Sequence, residues 1–256
     1  MDQNQPIGVF DSGLGGISVL REIVALLPNE DYIYYGDSLH APYGTRSTEE
    51  IERLTTVVFE KLLAQHVKAI VIACNTASSA AGEDLRRKYP GLPIIAIEPA
   101  LKPAVLRNPG GTIAVMATEA TLREKKFARL MQSYANQARI FKLPCPGLPE
   151  FVERGELHSE RLKAFLQKNF SSLGVKHFDG VVLGCTHYPF VRPMIQEVVG
   201  VKTKIFDGAP GTARQLKRQL KVRGLLRAGV IQGNISWQNS DPDPRFIELS
   251  KQLFLL

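Results

Sequence analysis

Short apolar runs recur along the chain and alternate with longer segments in which apolar residues repeat every three or four positions. Short runs of this kind are typical of buried parallel strands, and the longer segments have the period of amphipathic helices. The strand-like runs lie at residues 7–10, 32–35, 69–73, 94–97, 113–117, 140–143, 181–183 and 204–206. This alternation predicts an α/β protein built from βαβ units.

The segment that follows Ser47 shows how the helices are marked. Glu49 and Glu50 suit the first turn of a helix, because carboxylates are favoured at its positive end, and Ser47 is a suitable N-cap. The apolar residues at 51, 54, 58 and 62 share one face of such a helix. The pattern therefore predicts a helix that begins near Ser47 and packs against a sheet.

A strand followed by a small residue, a cysteine and two polar residues occurs twice, and the cysteines are 111 positions apart (185 minus 74). We interpret this repeat as two similar α/β lobes. Proline-rich junctions at 98–99 and 207–210 predict one lobe formed by residues 1–98 and 208–256 and a second formed by residues 99–207. The polar stretch 232–244 is predicted to be a loop with a short strand near Ile235–Trp237, and Arg245–Leu255 to be a closing helix.

Composition places the chain among ordinary globular proteins. Its 256 residues are 44% hydrophobic and 22% charged, enough to bury a full core. No apolar run is long enough to cross a bilayer, and residues 1–6 do not read as a signal peptide, so the predicted location is cytoplasmic. The three cysteines show neither CxxC spacing nor a nearby histidine pair, so we expect reduced thiols, without a disulfide framework or a metal site.

The net charge of +7 raises the question of a nucleic-acid partner. The densest basic stretch, residues 214–223, sets its cations beside leucines at helical spacing. That pattern favours a solvated helix face over a nucleic-acid surface, and no RNP, helix-turn-helix or zinc-finger pattern accompanies it. A basic binding role remains the alternative from a different class.

Cys74 and Cys185 each follow a predicted strand directly, at the sheet edge where α/β proteins bind ligands. A lone cysteine there is often only a small core residue. Polar residues follow both thiols, however, and a helix N-terminus beside each would stabilise a thiolate. Two opposed thiols suggest that one proton is removed and another returned. A dithiol redox protein is disfavoured without CxxC spacing, and Cys145, between two prolines, is interpreted as structural.

Two further strand ends carry turn residues. Asp11–Gly16 joins a strand to a helix without matching a nucleotide-binding motif, so it is predicted either to hold a carboxylate or simply to form a tight turn. The turn at Pro42–Gly44 places the Tyr43 N–H and hydroxyl where they can meet an acidic side chain. The candidates for tuning or relaying protons are Asp11, Asp37, Glu153 and His187. The alternative is that Asp11 and Asp37 only cap turns and that His187 only holds its own loop.

Four motifs occur in order: residues 11–16, 41–44, 73–77 and 184–188. With them the chain resembles the cofactor-independent aspartate/glutamate racemase superfamily over residues 7–255. The resemblance implies an α/β fold of two similar doubly wound lobes related by pseudo-twofold symmetry, with the active site in the cleft between them.

The resemblance also implies roles for individual residues. Cys74 and Cys185 match the two acid/base thiols, Asp11 assists Cys74, His187 and Glu153 assist Cys185, and Asp37 supports the pocket. Glu150 is the alternative to Glu153, which we prefer. The implied substrate-binding residues are Ser12, Pro42, Tyr43, Gly44, Asn75, Thr76, Thr118, Thr121 and Thr186.

The implied activity is the interconversion of L- and D-glutamate, supplying D-glutamate for peptidoglycan, with no cofactor and no metal. Within the superfamily the rival substrates are aspartate and hydantoins. The resemblance suggests a homodimer. No membrane partner is expected, and neither nucleic acid nor DNA gyrase is expected to be the primary partner.

Overall fold

The computed structural model describes residues 2–256. Contacts within the chain divide it into two compact units, one formed by the chain up to Glu98 together with Ala209–Leu256 and the other by Pro99–Gly208. We propose that these units correspond to the two predicted lobes. None of the helices in the described residues is long and apolar enough to span a membrane.

The first unit contains a five-stranded parallel sheet in the order β4-β3-β1-β2-β9. Its strands are β1 (Ile7–Asp11), β2 (Tyr32–Gly36), β3 (Ala69–Ile72), β4 (Ile94–Ala96) and β9 (Ile235–Asn239). Its helices are α1 (Ile17–Leu26), α2 (Thr48–Leu63), α3 (Asn75–Lys88), α10 (Ala209–Val222) and α11 (Pro244–Leu255). Helix α1 packs against α10 and α11, whereas α2 packs against α3. Because right-handed crossovers that run in opposite directions place their helices on opposite faces, the sheet is covered on both sides.

The second unit contains a four-stranded parallel sheet in the order β6-β5-β7-β8. Its strands are β5 (Thr112–Ala117), β6 (Arg139–Pro144), β7 (Gly180–Leu183) and β8 (Lys204–Asp207). Its helices are α4 (Leu101–Arg107), α5 (Glu119–Arg123), α6 (Lys125–Gln132), α7 (Leu148–Glu153), α8 (Glu160–Ser171) and α9 (Arg192–Val199). Helix α8 packs against α9, as α2 packs against α3 in the first unit.

The two sheets repeat one topology. The order β6-β5-β7-β8 corresponds strand for strand to β2-β1-β3-β4, so β5 matches β1 and β7 matches β3. In each unit the chain leaves the two central strands in opposite directions, which opens a crevice at their carboxyl ends where α/β proteins bind ligands. Cys74 follows β3 and Cys185 follows β7 at these equivalent positions. The weak sequence repeat thus reflects a repeated fold.

Most of the predicted elements are confirmed. All eight predicted strands form, the polar tail carries β9, and the closing helix is α11. Ser47 caps α2, and its side chain accepts a hydrogen bond from the Glu50 N–H. On α10, Leu216 and Leu220 are buried while Arg214, Lys217 and Arg218 are exposed, as expected for a solvated basic face.

One local prediction is wrong. The segment after Cys185 does not begin an α-helix at once but forms a short 3₁₀ turn, Tyr188–Val191, before α9. Pro193 has no N–H to donate to the Pro189 oxygen, so an α-helix that began at Tyr188 would be interrupted there, whereas in the first turn of α9 the missing N–H costs nothing. An α-helix N-terminus therefore lies directly at Cys74 and not at Cys185.

Candidate active site

Cys74 lies between β3 and α3 and is almost completely buried. It is the N-cap of α3, and its Sγ accepts a hydrogen bond from the Ala77 N–H at 3.4 Å. The Ser12 Oγ lies 3.3 Å from the same sulfur. A backbone N–H at a helix N-terminus and a hydroxyl both favour negative charge on sulfur, so this environment supports a thiolate.

Asp11 ends β1 beside this thiol and is fully buried. Its Oδ1 accepts a hydrogen bond from the Gly13 N–H at 3.0 Å, so it does cap the turn that leads into α1. A Cβ at Gly16 would lie 2.4 Å from the Asp11 Cβ and 3.1 Å from the Ala73 Cβ. Glycine at position 16 therefore lets the start of α1 approach the ends of β1 and β3 closely.

Asp37 follows β2 and is also buried. The Tyr43 hydroxyl donates to its Oδ2 at 2.6 Å. Burial, the hydrogen bond to Asp37 and the negative charges of Asp37, Cys74 and Asp11 raise the pKa of Tyr43 far above its ordinary value. The Tyr43 hydroxyl therefore contacts a carboxylate of the protein itself, that of Asp37. Pro42 and Gly44 hold this turn, in which the Ala41–Pro42 peptide bond is cis.

Asn75 and Thr76 form the first turn of α3 directly after Cys74, and both are buried. The Asn75 Oδ1 is buried and finds no hydrogen-bond partner among the described residues. A buried acceptor without a partner is costly, so the position is suited to a donor that a ligand brings.

Cys185 has a different environment. Its Sγ lies 3.7 Å from the His187 Nδ1, and the His187 Nε2 lies 2.7 Å from the Glu153 Oε1. Burial alone lowers the pKa of His187, but hydrogen bonds to Cys185 and Glu153, together with their negative charges, raise it well above its ordinary value. An imidazolium held in this way stabilises a thiolate at Cys185.

Glu153, the preferred acid, is thus the one that the structure places against His187. Glu150 lies one turn earlier on α7, and its Oε2 is buried without a hydrogen-bond partner among the described residues. Its charge contributes to the raised pKa of Tyr188, whose dominant cause is burial. Glu150 therefore lies near Tyr188, but the carboxylate that contacts His187 is that of Glu153.

Cys145 lies just after β6, and burial, with a smaller contribution from the charge of Cys185, raises its thiol pKa. Its backbone oxygen accepts a hydrogen bond from the Tyr188 hydroxyl at 3.4 Å. A buried thiol with a raised pKa is a poor base at neutral pH.

Three threonines complete the positions expected for ligand binding in the second unit. Thr118 follows β5 and caps α5, since its Oγ1 accepts from the Thr121 N–H at 3.3 Å and lies 3.0 Å from the Thr121 Oγ1. Thr186 is buried beside Cys185. Ser12 and Thr118 thus follow matching strands, β1 and β5, each next to the strand that a cysteine follows.

Comparison with known proteins identifies the family. The Asp/Glu/Hydantoin racemase family model matches residues 7–216. The chain belongs to this family. It is 50% identical over 251 residues to a glutamate racemase of Clostridium perfringens, covering 98% of this chain and 96% of that protein.

Solved structures of the racemase family agree. An isoform of glutamate racemase from Bacillus anthracis has a TM-score of 0.89 at 28% identity, over 99% of this chain and 95% of that one. The glutamate racemase of Francisella tularensis in complex with D-glutamate has a TM-score of 0.83 at 28% identity, with the same coverage. The chain is therefore an isomerase of the racemase type, and these relatives favour glutamate over aspartate or hydantoins.

Two residues that contact the candidate residues carry little signal in the sequence. The His40 Nδ1 lies 2.9 Å from the Asp37 Oδ1. In the sequence, the spacing Asp-x-x-His within a turn is the one feature that indicates this contact. Tyr188 belongs to the motif at residues 184–188, and that motif by itself indicates no role for it. Among residues 2–256 no group of three or more histidine, cysteine or carboxylate side chains is arranged to hold a metal ion.

Proposed function

We propose that this chain interconverts L- and D-glutamate through two thiols, Cys74 and Cys185, that act on opposite faces of the substrate α-carbon. The observation that carries the proposal is the placement of both cysteines at equivalent strand ends of two repeated sheets, each beside groups that favour a thiolate. The names of the relatives supply the substrate.

The chemistry demands such an arrangement. An amino acid α-proton is very weakly acidic, so its removal needs a positioned base, stabilisation of the developing carbanion and a proton donor on the other side. In one direction Cys185, supported by His187 and Glu153, takes the proton and Cys74 returns one. In the other direction Cys74, supported by Ser12 and the N-terminus of α3, takes the proton instead. No pyridoxal phosphate or metal is proposed.

The remaining residues would hold the substrate. The unpartnered Asn75 Oδ1 is suited to accept a hydrogen bond from the substrate ammonium group. Backbone N–H groups of Tyr43 and Gly44, in the turn shaped by Pro42, would bind the carboxylates together with the hydroxyls of Ser12, Thr76, Thr118, Thr121 and Thr186. The product would serve peptidoglycan synthesis. The homodimer and the cytoplasmic location remain predictions.

The test is incubation of the protein with L-glutamate, and separately with D-glutamate, in deuterated water without added cofactor, following optical rotation and α-deuteration together. Loss of rotation with one deuterium at the α-carbon is expected. A Cys74→Ser, Cys185→Ser double variant that still racemises glutamate would end the proposal.

Single variants assign the faces. With Cys74→Ala, only Cys185 can take a proton, so exchange without inversion is expected from one enantiomer, and Cys185→Ala should exchange the other. Cys145→Ala is the matched control and should behave as the wild type. Exchange of the same enantiomer by both single variants would refute the two-sided assignment.

A further inference from the structure

His40 is an exposed histidine tied to a buried carboxylate. Its Nδ1 lies 2.9 Å from the Asp37 Oδ1 and 3.1 Å from the Asp37 Oδ2. The side chain of Asp37 is 3% exposed and that of His40 is 41% exposed. Because a carboxylate accepts hydrogen bonds, the His40 Nδ1 carries the proton in this contact. The imidazole therefore connects Asp37 to the solvent.

The chain fixes His40 in this position. Its backbone N–H donates to the Asp37 oxygen at 3.1 Å, and its own backbone oxygen accepts from the Arg46 Nε at 2.9 Å. The preceding N–H, of Leu39, donates to the Ser240 Oγ at 3.0 Å. The short 3₁₀ turn Ser38–His40 is thus held at three points, which fits a side chain whose direction matters.

From Asp37 one further contact leads to Tyr43, and the charge of Cys74 is among the causes that raise the pKa of Tyr43. The Asp37 Oδ2 accepts from the buried Tyr43 hydroxyl at 2.6 Å. That hydroxyl lies within the electrostatic influence of Cys74 and Asp11 as well as of Asp37. A solvent-exposed imidazole is therefore linked through one carboxylate and one phenol to the surroundings of the proposed base.

We propose that His40 is a positioning residue for Cys74: its imidazole holds the Asp37 carboxylate against Tyr43 and, when protonated, offsets the carboxylate's negative charge near the thiol. The inference rests on the proposed function for its relevance to catalysis. A negative Asp37 opposes thiolate formation at Cys74, and a positive charge on His40 reduces that opposition. Cys74 should therefore form its thiolate more readily, and react faster at a given pH, while His40 is protonated.

Other charged groups surround the same carboxylate. Asp11 on β1 adds negative charge, and Lys61 on α2 adds positive charge. Arg46 is paired with Glu50 at the start of α2. Among these side-chain types, imidazole is the one that ordinarily titrates within about pH 5–8. A change in Cys74 reactivity within it that depends on residue 40 therefore reports on His40.

The experiment uses His40→Gln, which keeps an amide donor in the side chain but cannot take up a proton. The rate of alkylation of Cys74 by iodoacetamide is measured from about pH 5.5 to pH 9, by mass spectrometry of the peptide that contains Cys74. In the wild type we expect an inflection in addition to that of the thiol. In His40→Gln we expect this inflection to be absent and the rate below about pH 6.5 to be about three- to tenfold lower, because the positive charge that favours the thiolate is missing.

His177→Gln is the matched control, because His177 is also exposed and its Nε2 lies 3.7 Å from the Asp179 Oδ1 in the second unit. It should leave the Cys74 profile unchanged. NMR titration of the His40 imidazole in the wild type provides a second measurement that needs no variant, and its midpoint should coincide with the added inflection.

Overlapping profiles for wild type and His40→Gln, or an inflection at a pH different from the His40 midpoint, would overturn the inference. Glutamate racemisation by the wild type is measured in parallel. If the wild type racemises glutamate and the profiles overlap, this inference fails and the proposed function stands. If it does not racemise glutamate but the profiles differ as expected, the proposed function fails and the coupling of His40 to Cys74 stands.

Discussion

Replacing Glu153 by glutamine tests the support proposed for Cys185. The Glu153 Oε1 lies 2.7 Å from the His187 Nε2, and glutamine keeps the size of the side chain but removes its charge. A hydrogen bond to a charged group contributes about 1.5–3 kcal/mol. The Glu153 side chain is 23% exposed, so we take the lower part of that range, about 1.5–2 kcal/mol, which corresponds to a loss of about 10- to 30-fold in kcat/KM.

The assay must respect the thermodynamics of racemisation. The two enantiomers have equal free energy in water, so kcat/KM falls equally in both directions whichever thiol is impaired. The direction is assigned instead by isotope effects. Slower proton transfer at Cys185 should increase the α-deuterium isotope effect for the enantiomer from which Cys185 takes the proton, and increase the solvent isotope effect in the reverse direction.

The pH profile gives an independent sign. Removing the carboxylate removes one of the causes that raise the pKa of His187. The imidazolium is then lost at a lower pH, so the alkaline limb of kcat/KM should move to lower pH in Glu153→Gln. Glu150→Gln, on the same helix, is the matched control and should stay within about threefold of the wild type. An unchanged alkaline limb in Glu153→Gln, or a larger loss in Glu150→Gln, would refute the assignment.

Three further predictions concern the surrounding structure. At about pH 8 iodoacetamide should label Cys74 and Cys185 much faster than Cys145, whose pKa is raised by burial; rapid labelling of Cys145 in folded protein would contradict its structural role. Gly16→Ala should lower the free energy of unfolding by about 1–3 kcal/mol in denaturant titrations because of its overlap with Asp11, whereas Gly211→Ala on α10, with open space around it, should not destabilise. Lys68→Met should cost about 3–5 kcal/mol by leaving the buried Glu30 carboxylate without its cation, with only the Arg227 N–H as partner among the described residues, and adding Glu30→Gln should restore most of that loss; no recovery would show that the cost comes from packing.

The elements of the fold could be predicted because most strands are short, largely apolar runs and Ser47 marks a helix start. The spatial neighbours could not. Ser12 and Cys74 are 62 residues apart, and they meet only because β1 and β3 are adjacent at the point where the chain leaves them in opposite directions. Strand order of this kind depends on tertiary packing, which the local hydrophobic pattern does not encode.

The support for each thiol was predictable to a different extent. A helix N-terminus was predicted beside both cysteines, and at Cys74 it is confirmed. At Cys185 the 3₁₀ turn replaces it, and the nearby positive charge comes from His187. The choice between Glu150 and Glu153 depended on the rotation of α7, which a six-residue helix without a clear apolar stripe leaves open. The contact of His40 with Asp37 could not be predicted, because a spacing of three residues brings two side chains together only when the segment forms a turn.

Cys74 and Cys185 lie at equivalent positions of two sheets with the same topology, but different groups stabilise their thiolates. A racemase can function with two thiols that differ in this way. Cys74 has neutral donors, Ser12 and the Ala77 N–H, whereas Cys185 has a histidine whose positive charge is favoured by a carboxylate. The value of kcat/KM must be the same for both enantiomers. A difference between the two thiols therefore shows only in the separate kcat and KM values for each enantiomer. We therefore expect Ser12→Ala and Glu153→Gln each to lower kcat/KM equally for both enantiomers but to shift the ratio of the two kcat values in opposite senses, measured from complete progress curves. A shift in the same sense would mean that both residues act on one thiol, and the separate assignment of Ser12 to Cys74 and Glu153 to Cys185 would fail.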